Sequence, residues 1–208
     1  YGMLTLGALQ RGQNVLIHSA AGGVGLQAFK IAKAHDCYTI GTVGHAGKVD
    51  FALQQGYDQV IVRSNNFAQD LKNALAGRPL ELVMDSVGGP YFSIPFSMLA
   101  PMGRVVVFGS ARYASPGDKP NKLHLLKHWL TRPKIDPQQL PETNRGVLGF
   151  NLIWLYERVE LMHRLLQELE ALKLSAPHVG HRFVFDQLPD AVRLFQTGKT
   201  MGKVVVEV

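Results

Sequence analysis

The segment best suited to chemistry is Ala20-Ala21-Gly22-Gly23-Val24-Gly25, set between a short apolar run and a helical stretch. It fits the spacing G-x-G-x-x-G with Ala20 in place of the first glycine. Between a strand and a helix, that spacing is the turn that cradles a dinucleotide pyrophosphate. Gly22 lets the backbone approach the phosphates, which sit on the free N–H groups of a helix N-terminus. Gly25 lets helix and strand pack closely. Ala20 is tolerable if its φ is negative. Ala21, Gly22, Gly23 and Val24 are the candidate pyrophosphate residues.

The residues about twenty positions on bear on which dinucleotide is meant. A ribose with a free 2′-hydroxyl is held by Asp or Glu at the end of the second strand. That place falls at Thr42, within Gly41-Thr42-Val43-Gly44-His45-Ala46-Gly47-Lys48, and the stretch has no acid. Lys48 lies on the first turn of the next helix, with His45 beside it, and Arg63 ends the third strand on the same side. A missing carboxylate and nearby cations suit a 2′-phosphate, hence NADPH. Thr42, Lys48 and Arg63 complete this group.

Other groups are weaker candidates. Asp85 reads as a turn or cap residue, and His18 as a core histidine. No side chain stands out as a general acid, so the catalytic residues are unassigned. Cys37 is the one cysteine, and the eight histidines show no H-E-x-x-H spacing, so no metal site is expected.

Strands at 14–19, 38–43, 59–62, 81–85 and 104–108 alternate with helices at 23–35, 45–55, 67–76 and 91–99. Asn65 or Asn66 caps the third helix and Gly77 ends it. This rhythm predicts βαβ units, a parallel sheet and helices on both faces. The strand ends that line the crevice of such a fold are Asp85-Ser86-Val87-Gly88-Gly89, Phe108-Gly109-Ser110 and Gly149-Phe150-Asn151-Leu152. A Pro-rich excursion at 111–145 breaks the rhythm, with one helix at 122–130. A sixth strand at 146–152 and an amphipathic helix at 155–172 follow. Strands at 182–185 and 203–208, around a helix at 188–197, follow no βαβ logic and read as edges of another sheet. A helix is expected at 1–9.

The 208 residues are 46% hydrophobic and 18% charged, which suits a packed core and excludes a disordered chain. No apolar run is long enough to span a membrane, and no signal peptide is visible. With a single cysteine, a reducing, cytoplasmic setting is expected. Of the net charge of +6, the excursion carries +4. Such a segment suits an anionic partner or lipid headgroups if it is more than a solvated loop. Nucleic acid is not expected, because the charge is not interleaved with aromatics in a known module.

Five motifs in order, HSAAGGVG (18–25), GTVGHAGK (41–48), DSVGG (85–89), GRVVVFG (103–109) and GKVVVEV (202–208), resemble the medium-chain dehydrogenase/reductase superfamily in its zinc-free quinone oxidoreductase branch. GVLGFNLIWL (146–155) is most similar to members related to the vesicle amine transport protein. The resemblance implies a doubly wound Rossmann domain over 1–180 that binds NADPH. It also implies a segment at 181–208 that returns to a GroES-like catalytic domain absent from this chain, which begins at Tyr1 rather than Met. Lys48 would contact the 2′-phosphate, and Phe108, Gly109, Phe150, Asn151 and Leu152 would border the nicotinamide. The implied activity is hydride transfer to a quinone or an α,β-unsaturated carbonyl as small-molecule substrate. The assembly allowed is a homodimer. Two alternatives are an enoyl reductase region of a polyketide or fatty-acid synthase, and a non-catalytic binding or trafficking protein that keeps the fold.

Overall fold

The computed structural model describes residues 1–114 and 121–208. Its centre is a six-stranded parallel sheet: β1 (Asn14–Ile17), β2 (Tyr38–Val43), β3 (Gln59–Val62), β4 (Leu80–Asp85), β5 (Leu99–Val107) and β6 (Gly146–Gly149). The order is β3-β2-β1-β4-β5-β6. The chain thus winds outward from β1 in one direction, then returns beside it and winds outward in the other. Helices α1 (Gly23–Ala34), α2 (Val49–Gln54), α3 (Phe67–Leu75) and α4 (Pro90–Met98) connect the first five strands. Helices α5 (Lys122–Leu130) and α6 (Gln139–Thr143) lie between β5 and β6, and α7 (Val159–Ala171) follows β6. This is the doubly wound α/β fold expected from the sequence.

Alternation along β1 shows why both faces are covered. Val15 and Ile17 join a cluster with Leu26, Phe29 and Tyr57 on one face. Leu16 joins Phe67, Leu71 and Phe92 on the other. All four residues of the strand are buried, as a central parallel strand requires.

Several boundaries differ from expectation. Residues 1–9 contribute one turn of π-helix, Gly2–Leu6. The helix at 45–55 is divided into a 3₁₀ turn (Ala46–Lys48) and α2. Left-handed Ala76, and not Gly77, closes α3, and the Asn66 side chain makes no capping bond. Strand β6 ends at Gly149, so Phe150, Asn151 and Leu152 stand beyond it. The helix at 155–172 starts at Val159, behind a 3₁₀ turn over Leu152–Leu155.

The C-terminal strands correct the sequence reading in one respect, that they follow no βαβ logic. β7 (Val179–Val184) and β8 (Lys203–Glu207) pair parallel, with α8 (Leu188–Gln196) between them. They therefore obey βαβ logic with each other, in a two-stranded sheet of their own.

Part of the basic excursion, 115–120, lies outside the described residues. In the remainder, α5 turns His124 and His128 inward. His128 Nδ1 accepts from Arg112 Nη2 at 2.7 Å, and His124 Nε2 donates to the Arg112 carbonyl at 3.1 Å. Leu123, Leu126, Trp129 and Leu130 face outward.

His18 is fully buried, as a core histidine should be. Its Nε2 is 2.8 Å from the Tyr91 carbonyl and its Nδ1 is 2.7 Å from Thr42 Oγ1. Burial pushes its pKa down to about 4, with Arg63 also lowering it and Asp85 and the Tyr91 carbonyl opposing. The unfolded chain therefore takes up this proton first. His18 favours folding fully above pH 6.5, and that advantage is lost as the pH falls toward about 4. Over that window the unfolding free energy of wild type should fall more steeply than that of His18→Gln. The difference should approach about 1.4 kcal/mol per pH unit, read by urea unfolding at a series of pH values. Equal slopes would contradict a neutral buried His18.

Candidate cofactor site

The turn after β1 is held by its backbone. Gly22 N–H donates to the Ser19 carbonyl at 2.9 Å, and Ala20 N–H to the Thr42 carbonyl at 2.9 Å. The left-handed residue is Ser19 (φ 54°) and not Ala20, so alanine is accommodated where the motif has glycine. The Ala20 methyl instead fills space left by Gly41 in β2, where a Cβ would lie 2.7 Å from it. Gly25 has no such freedom. A Cβ there would strike the Ser19 carbonyl oxygen and come within 2.9 Å of Ala20 Cα. These are backbone atoms that cannot rotate away. The close approach sets the first turn of α1, with its unpaired N–H groups and positive dipole end, at the β1–β4 switch point.

The remaining candidates stand along the carboxyl ends of the other strands. Beyond β4, Asp85 Oδ1 accepts from Val87 N–H at 2.7 Å and Gly88 N–H at 2.9 Å, which is the turn role expected of it. Ser86 Oγ donates to Ser19 Oγ at 3.1 Å, joining this turn to the glycine turn. Val87 is buried. Gly109 packs on Ser86, whose Cα a Cβ would approach at 3.3 Å. Beyond β5 and β6 the rings of Phe108 and Phe150 stack at 6.2 Å. With Val24, Met84 and Leu152 they line an apolar cavity of about 280 Å³, closed on its far side by α7. Asn151 Oδ1 caps the 3₁₀ turn that follows, accepting from Ile153 N–H at 3.3 Å.

On the opposite flank stand Lys48 and Arg63. Partial burial lowers the pKa of both, and the nearby Arg63 charge lowers that of Lys48 further. Lys48 Nζ donates to the carbonyls of Gly198 and Thr200, both at 2.6 Å. An ammonium has three protons, so one remains. Arg63 Nη1 donates to Thr42 Oγ1 at 3.1 Å, and Nη2 lies beside Gly44, whose Cβ would be 3.0 Å away. Thr42 is placed differently from the others. It is fully buried, and its hydroxyl is engaged by His18 and Arg63. It supports the site from beneath instead of facing a ligand.

Sequence reasoning does not place the segment 198–203 here. Gly202 N–H donates to the Ala21 carbonyl at 2.8 Å, and the Lys203 stem lies over Gly23. The two Gly-Lys pairs at 198–199 and 202–203 are the available signal.

A family model described as zinc-binding dehydrogenase matches residues 23–152, which run from the glycine turn to the loop beyond β6. The chain belongs to the zinc-binding dehydrogenase family, within the medium-chain dehydrogenase/reductase superfamily. It is 30% identical over 208 residues to the human synaptic vesicle membrane protein VAT-1 homolog, spanning 98% of this chain and 52% of that protein. It is 28% identical over 215 residues to highly reducing polyketide synthase 40 of Fusarium mangiferae, spanning all of this chain and 8% of the synthase. Among solved structures, the quinone oxidoreductase of Thermus thermophilus, determined also with NADPH, matches with a TM-score of 0.76 and 26% identity. That match covers 99% of this chain and 61% of the other. The chain spans about half the length of the VAT-1 relatives. The family's description names zinc, but no group of three or more His, Cys, Asp or Glu gathers among the described residues, and Cys37 is buried. No helix among them is long and apolar enough to cross a membrane.

Gly25→Ala should cost about 1–3 kcal/mol through overpacking against backbone, with roughly 2–4 °C of Tm per kcal/mol. Gly23→Ala meets only the flexible Lys203 stem and should cost less. Thermal unfolding of the two variants tests the difference. Equal losses would mean that the α1–β1 contact does not require glycine.

Proposed function

We propose that the chain is the NADPH-binding part of an oxidoreductase that passes a hydride to a quinone or an α,β-unsaturated carbonyl. The observation that carries this reading is the convergence of Lys48 and Arg63 beside a loop without a carboxylate. Two neighbouring cations, both partly desolvated, suit a dianion such as a 2′-phosphate.

In this reading the turn from Gly22 to Val24 holds the pyrophosphate against the first-turn amides of α1. Lys48 offers its third proton to the 2′-phosphate, and Arg63 offers the nitrogens not spent on Thr42. Phe108, Phe150, Asn151 and Leu152 border the nicotinamide, and the apolar cavity lined by Phe108, Phe150 and Leu152 keeps water from it. Ser86, Val87 and Gly109 shape the turn between the two ends. The bound nucleotide supplies the hydride, so the protein contributes chiefly position and a dry surround. The β7–α8–β8 unit presents Val184, Phe185, Leu188, Val192 and Phe195 outward. This face suits packing against a catalytic domain in the full-length protein.

A second reading, the enoyl reductase region of a polyketide synthase, is favoured by the match over the whole chain to the Fusarium synthase. Carrier-protein or ketoreductase sequence beside this segment in the complete gene would select it. A screen of the full-length protein with quinones and enones tests the substrate class.

Fluorescence titration should show NADPH binding at least about tenfold tighter than NADH, the worth of one charge-assisted contact. Lys48→Glu should remove most of that preference. NADH binding as tightly as NADPH would refute the cofactor assignment. Because the Lys48 pKa is already lowered, NADPH affinity should also decline on the alkaline side at pH values below those of a free lysine. NADH affinity should stay level over the same range.

A further inference from the structure

Arg63 is held from inside the protein by a directional chain of hydrogen bonds. The Tyr91 carbonyl can only accept, so the proton of neutral His18 is on Nε2, 2.8 Å away. His18 Nδ1 is then an acceptor, and the Thr42 hydroxyl 2.7 Å away must donate to it. With its proton committed inward, Thr42 Oγ1 presents only lone pairs to Arg63 Nη1, which donates at 3.1 Å. The Thr42 carbonyl accepts weakly from the same nitrogen at 3.4 Å. The guanidinium also lies over the Tyr91 ring, 5.8 Å from its centroid, so one residue of α4 both anchors His18 and backs Arg63. That ring is fixed in turn against Phe67, at 5.0 Å. His18 and Thr42 have no exposed surface. Neither can touch a nucleotide, yet together they set where the cation points.

We propose that His18 and Thr42 are positioning residues for nucleotide selectivity, orienting Arg63 toward the 2′-phosphate through the chain Tyr91 carbonyl–His18–Thr42–Arg63. The proposal rests on the NADPH reading above. In the opposite arrangement, with the Thr42 proton turned toward Arg63, the hydroxyl would repel the guanidinium and free it to leave. Selectivity would then fall without any change at the glycine turn, where both nucleotides bind alike.

The test is the ratio of NADH to NADPH dissociation constants in the full-length protein, with thermal unfolding as a check on folding. Thr42→Val keeps the shape and removes the hydroxyl, and should reduce the ratio about three- to tenfold while NADH affinity stays within about twofold. Thr42→Ser and His18→Gln, whose groups can remake the bonds, should keep the wild-type ratio. If Thr42→Val does not fold, Thr42→Ala removes the same hydroxyl and is read in the same way. In an Arg63→Gln background, Thr42→Val should have no further effect on the ratio, because Thr42 acts only through Arg63. A folded Thr42→Val or Thr42→Ala with the wild-type ratio overturns the proposal, as does an additive effect in the Arg63→Gln background. A wild-type protein that does not prefer NADPH overturns the cofactor reading itself. A preference abolished by Arg63→Gln but untouched by loss of the Thr42 hydroxyl overturns the positioning role alone.

Discussion

A single side-chain carbon will not fit at Gly25, and much of the arrangement follows from that. The first turn of α1 presses directly on the backbone of Ser19 and Ala20. This brings unpaired helix amides to the mouth of the crevice between β1 and β4. The compression is relieved on neighbouring elements. The Ala20 methyl moves into the space left by Gly41, and the Tyr57 ring packs over the same glycine while its hydroxyl donates to the Gly25 carbonyl at 2.9 Å. Strand, turn, helix and the second strand thus form one close-packed contact, and the position of the first α1 amides at the crevice is its by-product.

Electrostatics adds a second constraint around that contact. The carboxyl edge of the sheet collects His18, Thr42, Asp85 and Arg63 in or near the interior. Burying such groups costs free energy unless they are paired. Asp85 meets part of the cost with backbone N–H donors on Oδ1, while its buried Oδ2 has no hydrogen-bond partner among the described residues, and His18 and Thr42 meet it with each other. Lys48 spends two protons on main-chain carbonyls and stays near Arg63 although the two repel. A site that keeps two cations together and two polar side chains beneath them is preorganised for an anion, since little rearrangement is needed when one arrives.

Much of this is legible in the sequence. Six apolar runs, each followed by a turn signal, are enough to read a parallel sheet, because a strand covered on both faces has no polar alternate positions. The glycine turn can be read because only a close backbone approach demands glycine at Gly25. Lys48 and Arg63 can be read because an expected acid is missing. Thr42 is the exception: its position along β2 is as expected, but whether a strand residue faces crevice or core depends on pairing with β1 and on His18. The pairing of β7 with β8 is hidden for a related reason. Two short strands carry no local sign of which neighbour they pair with. The segment 198–203 is hidden because a contact between Gly202 and Ala21 spans nearly the whole chain and has no local pattern.

That long-range contact also bears on how the halves of the molecule work together. A two-stranded sheet is marginal alone, and the β7–α8–β8 unit carries exposed apolar residues on its helix and connecting turn. The unit is nonetheless fastened at several points: Gly202 to Ala21, Lys48 to the carbonyls of Gly198 and Thr200, Lys30 to those of Ser175 and Ala176, and the His178 ring to Phe51 at 5.1 Å. Two of these fastenings use groups of the candidate cofactor site, the Ala21 carbonyl and the Lys48 ammonium. A lysine that spends two of its three protons on main-chain carbonyls is held in one place, so the loop before β8 and the position of the Lys48 charge are set by the same bonds.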